Sequence, residues 1–139
     1  MTKPQIKYKD GYKYQLTEEC EVEVSVTPEQ DIRTSYIDLT TNGLLTIKNG
    51  YAWDGPSGPT IDTPNFMRGS LVHDALYQLM RNKSINKKEW REKADRDLRR
   101  ICLEDGMSRI RAWWVYKAVH YFGDKAASEE SKRAVKEAP

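Results

Sequence analysis

Cysteine is scarce in this 139-residue chain, which has only Cys20 and Cys102. They lie far apart, in segments of different periodicity, and no Cys-x-x-Cys pair exists. Neither a disulfide framework nor a thiolate zinc centre fits that spacing, and reduced thiols in a cytoplasmic protein are expected. Long apolar runs are missing, so no segment approaches the roughly 20 residues needed to cross a bilayer. The N-terminus, Met1-Thr2-Lys3-Pro4, is polar and has no apolar core, so no secretory signal is expected. Charge of one sign is also missing. Lys and Arg number 23 against 21 Asp and Glu, a net charge of +2, which lacks the basic excess of a nucleic-acid binder. With 38% apolar and 32% charged residues, one domain with a modest core is expected over residues 1–123.

The expected fold class is α+β, an N-terminal antiparallel β-meander followed by three helices. From Tyr12 to Val26 the pattern alternates, with Cys20, Val22, Val24 and Val26 on one face and Glu19, Glu21, Glu23 and Ser25 on the other. Period two over that length predicts a half-buried strand. Ser35–Leu39 is a second strand, Thr41-Asn42-Gly43 a turn, and Leu44–Lys48 a third strand. Asn49-Gly50 turns again into a short strand at Tyr51–Trp53. Strands therefore fill residues 1–53. Residues 54–65 hold three of the six prolines and two glycines, which predicts a loop.

Helices are expected over residues 66–123. Asp62 or Thr63 can cap the first, with Pro64 at its first position. It carries Phe66, Leu71, His73, Leu76, Tyr77 and Met80 and ends near Arg81-Asn82. Asn86 with Glu89 predicts the start of the second helix, whose stripe is Trp90, Ala94, Leu98, Ile101 and Cys102, with Gly106 closing it. Ser108 opens a third helix, with Gly123 as its stop. The first two helices form an antiparallel pair carrying the site. The tail, 124–139, lacks an apolar face and is expected to be frayed or flexible.

The chemistry concentrates at Val72-His73-Asp74-Ala75-Leu76-Tyr77. His73 and Tyr77 are four apart and share a helix face, while Asp74 is turned about 100° away. A neutral imidazole suits a general base near pH 7, provided an acceptor fixes its second nitrogen. Asp95 on the next helix can be that acceptor, and Tyr77 can bond the same carboxylate. Asp97 is a rival, because periodicity alone does not choose between the two. A hard cation such as calcium takes carboxylates mixed with backbone carbonyls. Asp74 and the glycine-rich loop Trp53-Asp54-Gly55-Pro56-Ser57-Gly58-Pro59 offer both. One histidine and no nearby cysteine give too few ligands for zinc.

This arrangement resembles the phospholipase A2 group, in particular its parvoviral and small bacterial forms. Their pattern is a glycine-rich calcium loop, then His-Asp-x-x-Tyr, then Ala-Asp on an antiparallel helix. The matching positions are Trp53, Gly55 and Ser57, then His73, Asp74 and Tyr77, then Ala94-Asp95, within residues 51–100. The same segment is similar to a family of short phage and prophage proteins known as a domain of unknown function. The phospholipase resemblance implies that His73 activates water against a lipid ester while Asp95 orients the imidazole. It implies calcium held by Asp74 and the carbonyls of Trp53, Gly55 and Ser57, with the Gly55 N–H as an oxyanion donor. The implied partner is a phospholipid or membrane surface. Ser57 departs from the family's loop glycine, and Trp53 replaces a tyrosine.

Other readings stand beside this one. A His-Asp doublet on a half-apolar helix is often a structural histidine with a satisfied partner. The chain is then a non-catalytic phage component, virion-associated or binding a host protein. A His-Asp metal phosphohydrolase needs a further histidine upstream of His73, and none exists. Trp113, Trp114, Tyr116, Tyr121 and Phe122 are either core or a lipid-interface band. The cations from Lys87 to Arg100 read as a solvated face, because acids are interspersed. His120 reads as a packed or surface histidine.

Overall fold

Alternation of apolar and charged residues organises the N-terminal half. The structure, a computed structural model, describes residues 8–9, 14–53 and 64–126, with side chains over 14–53 and 64–121. These residues fall into two compact units, divided in the chain between Gly55 and Pro56. The first unit holds strands β1 (Tyr8–Lys9), β2 (Tyr14–Leu16), β3 (Cys20–Glu23), β4 (Ile32–Arg33), β5 (Ile37–Leu39), β6 (Leu44–Ile47) and β7 (Ala52–Trp53). They form two antiparallel sheets, ordered β1-β2-β7 and β3-β6-β5-β4, and β4-β5-β6 is a meander. Cys20 pairs with Ile47 and Val22 with Leu45, and β5 continues both rows through Ile37 and Leu39. All six side chains are buried, so one face of three strands is apolar, while Glu21 and Glu23 point outward.

The turn before β6 needs its glycine. Gly43 has φ +86°, and a Cβ there would sit 2.5 Å from the Val24 carbonyl oxygen. That approach lets the Val24 N–H donate to the Gly43 carbonyl at 2.8 Å.

Tyr12–Val26, expected as one strand, is divided between the two sheets. Leu16 exchanges hydrogen bonds with Gly50 and Tyr51, residues 17 and 18 bend, and pairing resumes at Cys20 against β6. Burial still alternates to Val26, because period two records which face is buried and not which sheet is joined. The strand expected over Ser35–Leu39 starts only at Ile37. Its first residues form a tight turn, in which the Thr34 hydroxyl donates to the Ile37 carbonyl and accepts from the Ile37 N–H. β1 and β4 were not foreseen.

The second unit is helical: α1 (Pro64–Arg81), α2 (Lys87–Glu104) and α3 (Arg109–Ala126). α1 begins at Pro64, so the irregular segment expected to reach residue 65 ends sooner; Asp62 and Thr63 lie outside the described residues. Asn86 caps α2 by accepting the Glu89 N–H at 2.9 Å, and Ser108 accepts the Arg111 N–H at 3.2 Å. Both interhelical turns close in the same way. Ser84 N–H reaches Leu79 O and Lys83 N–H reaches Met80 O after α1, while Met107 N–H reaches Cys102 O and Gly106 N–H reaches Leu103 O after α2. This is the two-bond Schellman pattern with a left-handed residue at its centre. That residue is Gly106 in one turn (φ +98°) and Lys83 in the other (φ +66°).

Gly123 does not stop α3, which runs on to Ala126. A helical glycine costs about 1 kcal/mol relative to alanine without breaking the ladder, and Lys125 and Ala126 favour continuation. Phe66, Leu98, Cys102, Met107, Ala112 and Val115 form the apolar core joining the three helices. α1 and α2 pack tightly at Gly69, where a Cβ would lie 2.8 Å from Leu98 Cδ1 and 2.9 Å from Cys102 Sγ. Buried Arg68 donates to Asp105 at 3.1 Å and to Glu104 at 2.8 Å. Burial works against its charge, but the two carboxylates more than offset this and raise its pKa. Among the described residues, no helix is long and apolar enough to cross a membrane.

Candidate functional site

α1 and α2 run antiparallel, so the turn after Gly69 on α1 faces the turn before Leu98 on α2. That places His73 and Tyr77 opposite Asp95. His73 Nε2 is 2.7 Å from Asp95 Oδ1, and the Tyr77 hydroxyl donates to the same oxygen at 2.6 Å. An ionised carboxylate only accepts, so Nε2 carries a proton, and in the neutral imidazole Nδ1 then holds the lone pair. Nδ1 has no hydrogen-bond partner among the described residues. The His73 side chain is 14% exposed and the Asp95 side chain 0%. The imidazole thus reaches the protein's edge while its orienting carboxylate is closed off from water. The Tyr77 ring packs on the imidazole at 4.1 Å between centroids, which also limits rotation of His73.

Tyr77 is held neutral. Burial raises its pKa well above the usual phenol value, and the adjacent Asp95 charge raises it further. The hydroxyl therefore serves as a fixed donor and not as an acid.

Asp95 Oδ2 faces two groups that the sequence did not place at the site. Arg91 Nη1 lies 3.6 Å away, one turn earlier on α2, and His120 Nδ1 on α3 lies 3.4 Å away. Arg91 also donates to the His120 main-chain carbonyl at 2.9 Å, tying α2 to α3. The Tyr116 ring stacks on His120. Arg91 could have been found from its i−4 spacing to Asp95. No local signal links His120 to a residue 25 positions earlier. The rival Asp97 is also buried, but its carboxylate faces Arg100 at 3.4 Å and not His73.

The residues assigned to calcium are placed less completely. Asp74 follows His73 on α1 but turns to the half-exposed side, where its side chain is 36% exposed and Oδ1 is 4.0 Å from Arg81 Nη2. Trp53 ends β7, buried, with its ring 5.6 Å from that of Tyr14. Gly55 and Ser57 lie outside the described residues. Among the described residues, no group of three or more His, Cys, Asp or Glu side chains could hold a metal ion. Asp74 offers one carboxylate, and a hard cation there would need several further oxygen donors.

A family model described as "Protein of unknown function (DUF1353)" matches residues 31–119, from the approach to β4 into α3. His73, Asp74, Tyr77, Arg91 and Asp95 all lie within that span. No curated protein and no solved structure matches the chain.

Proposed function

The chain belongs to the DUF1353 family, and from that premise we propose that it is a water-activating ester hydrolase acting on lipid esters. One observation carries the reading. Buried Asp95 fixes His73 Nε2 at 2.7 Å, and Nδ1 has no protein partner among the described residues. A general base needs this geometry, with one nitrogen anchored and the other available.

In the proposed reaction His73 Nδ1 takes a proton from water as the water oxygen bonds to the ester carbonyl carbon. The imidazolium shares its Nε2 proton with Asp95, whose carboxylate stabilises the new positive charge. The tetrahedral intermediate then expels the alkoxide, which takes the proton back from Nδ1. The products are a carboxylic acid and an alcohol. Tyr77 keeps Asp95 and the imidazole in register. Asp74 would supply a carboxylate to a calcium ion, as the phospholipase resemblance implies. Such an ion supplies Lewis-acid polarisation of the ester carbonyl when bound.

The enclosure of Asp95 by four groups favours a second reading, in which the cluster only staples three helices. Fatty-acid release from phospholipid vesicles, with calcium and with chelator, separates the two. The hydrolase reading expects calcium-dependent release that falls about 10²–10⁴-fold in His73→Ala. It also expects a calcium-induced rise in Tm that is lost in Asp74→Ala. Equal release by parent and His73→Ala, with or without calcium, sinks it.

A further inference from the structure

α3 buries Ala112 and Val115 against the other helices, with Val119 packed beside them. Its opposite face is not polar. Ile110, Trp113, Trp114 and Tyr121 are 75%, 42%, 63% and 77% exposed. With Lys117 they fall at i, i+3, i+4, i+7 and i+11, a single stripe along the helix. The Lys117 ammonium lies 5.6 Å over the Trp113 ring, and Trp113 meets Trp114 edge to face at 5.3 Å. From Arg109 to Gly123 the sequence has no Asp or Glu, while Arg109, Arg111 and Lys117 carry positive charge.

We infer that this stripe seats the protein on an anionic lipid surface, with the Trp113, Trp114 and Tyr121 rings at headgroup depth and Arg109 and Lys117 among the phosphates. Trp and Tyr favour that depth because each ring has an apolar body and a polar edge. Cations without intervening acids favour an anionic leaflet. The inference rests on the lipid-hydrolase reading for its purpose and adds the partner surface. His120, beside Tyr121 on α3, reaches Asp95, so the helix lying on lipid also borders the carboxylate that orients His73.

The test uses the full chain carrying His73→Ala, so that hydrolysis cannot alter the vesicles. Sedimentation with sucrose-loaded vesicles compares pure phosphatidylcholine with a phosphatidylcholine–phosphatidylglycerol mixture. Binding to the mixed vesicles is expected, weakened by salt and accompanied by a blue shift of tryptophan emission. Adding Trp114→Ser should weaken it by at least about tenfold through lost apolar burial. Adding Lys117→Glu changes two charge units at about fivefold each, and so predicts roughly 25-fold weaker binding. Circular dichroism should be unchanged, since both positions are exposed. No binding to the mixed vesicles, or equal binding by the variants, overturns the inference. So does self-association that Trp114→Ser abolishes in a protein that ignores vesicles. A parent that binds these vesicles but releases no fatty acid overturns the hydrolase reading alone.

Discussion

Gly69→Ala tests how tightly α1 and α2 are drawn together. The added methyl would lie 2.8 Å from Leu98 Cδ1 and 2.9 Å from Cys102 Sγ. Contacts of this kind settle near about 3.5–4.0 Å, so the methyl intrudes by roughly an ångström on each side. Alanine gains about 1 kcal/mol over glycine inside a helix. Overpacking a closed core costs about 1–3 kcal/mol. Leu98 and Cys102 are both buried, so a shift of either presses on its own neighbours, and the upper part of that range is expected. The net expectation is a loss of about 1–2 kcal/mol, read as a lower urea midpoint by circular dichroism at constant m-value. A double-mutant cycle identifies the cause. Cys102→Ala withdraws Sγ, so Gly69→Ala/Cys102→Ala should be about 1 kcal/mol more stable than the sum of the single changes. A Gly69→Ala protein more stable than the parent, or strictly additive changes, would refute the close-approach argument.

Stability should fall steeply in alkali. Burial pushes the Cys102 thiol up to about 12, with Asp105 adding to the shift, and Tyr77 is raised by burial and then by Asp95. Both pKa values are raised on folding, so their contribution is complete below the unfolded values of about 8.5 and 10 and is lost as pH rises above them. Each adds a slope of about 1.4 kcal/mol per pH unit, and urea midpoints from pH 8 to 11 should show the slope doubling near pH 10. Tyr77→Phe should remove the second component, and an unchanged profile contradicts the assignment. Lys83→Gly should stabilise by about 1 kcal/mol, because Lys83 holds a left-handed conformation that costs a side-chain-bearing residue about that much; no rise in Tm counts against it. Arg68→Met should cost about 3–5 kcal/mol, since it leaves the Asp105 carboxylate partly buried without its cation; a loss under 1 kcal/mol contradicts this. Acid should act on the same cluster. Burial of Glu104 opposes its charge, but Arg68 and Arg100 lower its pKa overall, so its contribution is present above about pH 4.3 and is lost as pH falls below. Arg68→Met should flatten that acid limb.

Much of this was legible because the signals are local. Asn86 with Glu89, Ser108 and Gly106 each announce a helix end through a bond made within a few residues. His73 and Tyr77 were legible through i,i+4 spacing on one helix, whereas periodicity did not separate Asp95 from Asp97, and only the Ala-Asp spacing favoured Asp95. Sheet membership was not. Alternation through Val26 is the same whether a strand stays in one sheet or passes to another, and only the long-range bonds of Leu16 reveal the change. The pairs of β1 and β4 are too short for periodicity to register. Gly123 misled because glycine ends a helix only when the chain beyond turns away. His120 meets Asp95 through tertiary packing alone.

The carboxylate of Asp95 touches groups from all three helices, and this makes the histidine's orientation a property of their docking as a set. A fluctuation that lifts α3 removes His120 from Oδ2 and loosens Arg91, leaving the buried charge less compensated and His73 less firmly aimed. Linkage runs both ways. Whatever ligand favours the ordered imidazole must slow amide exchange along α3 by the same free energy with which α3 docking strengthens that ligand's binding.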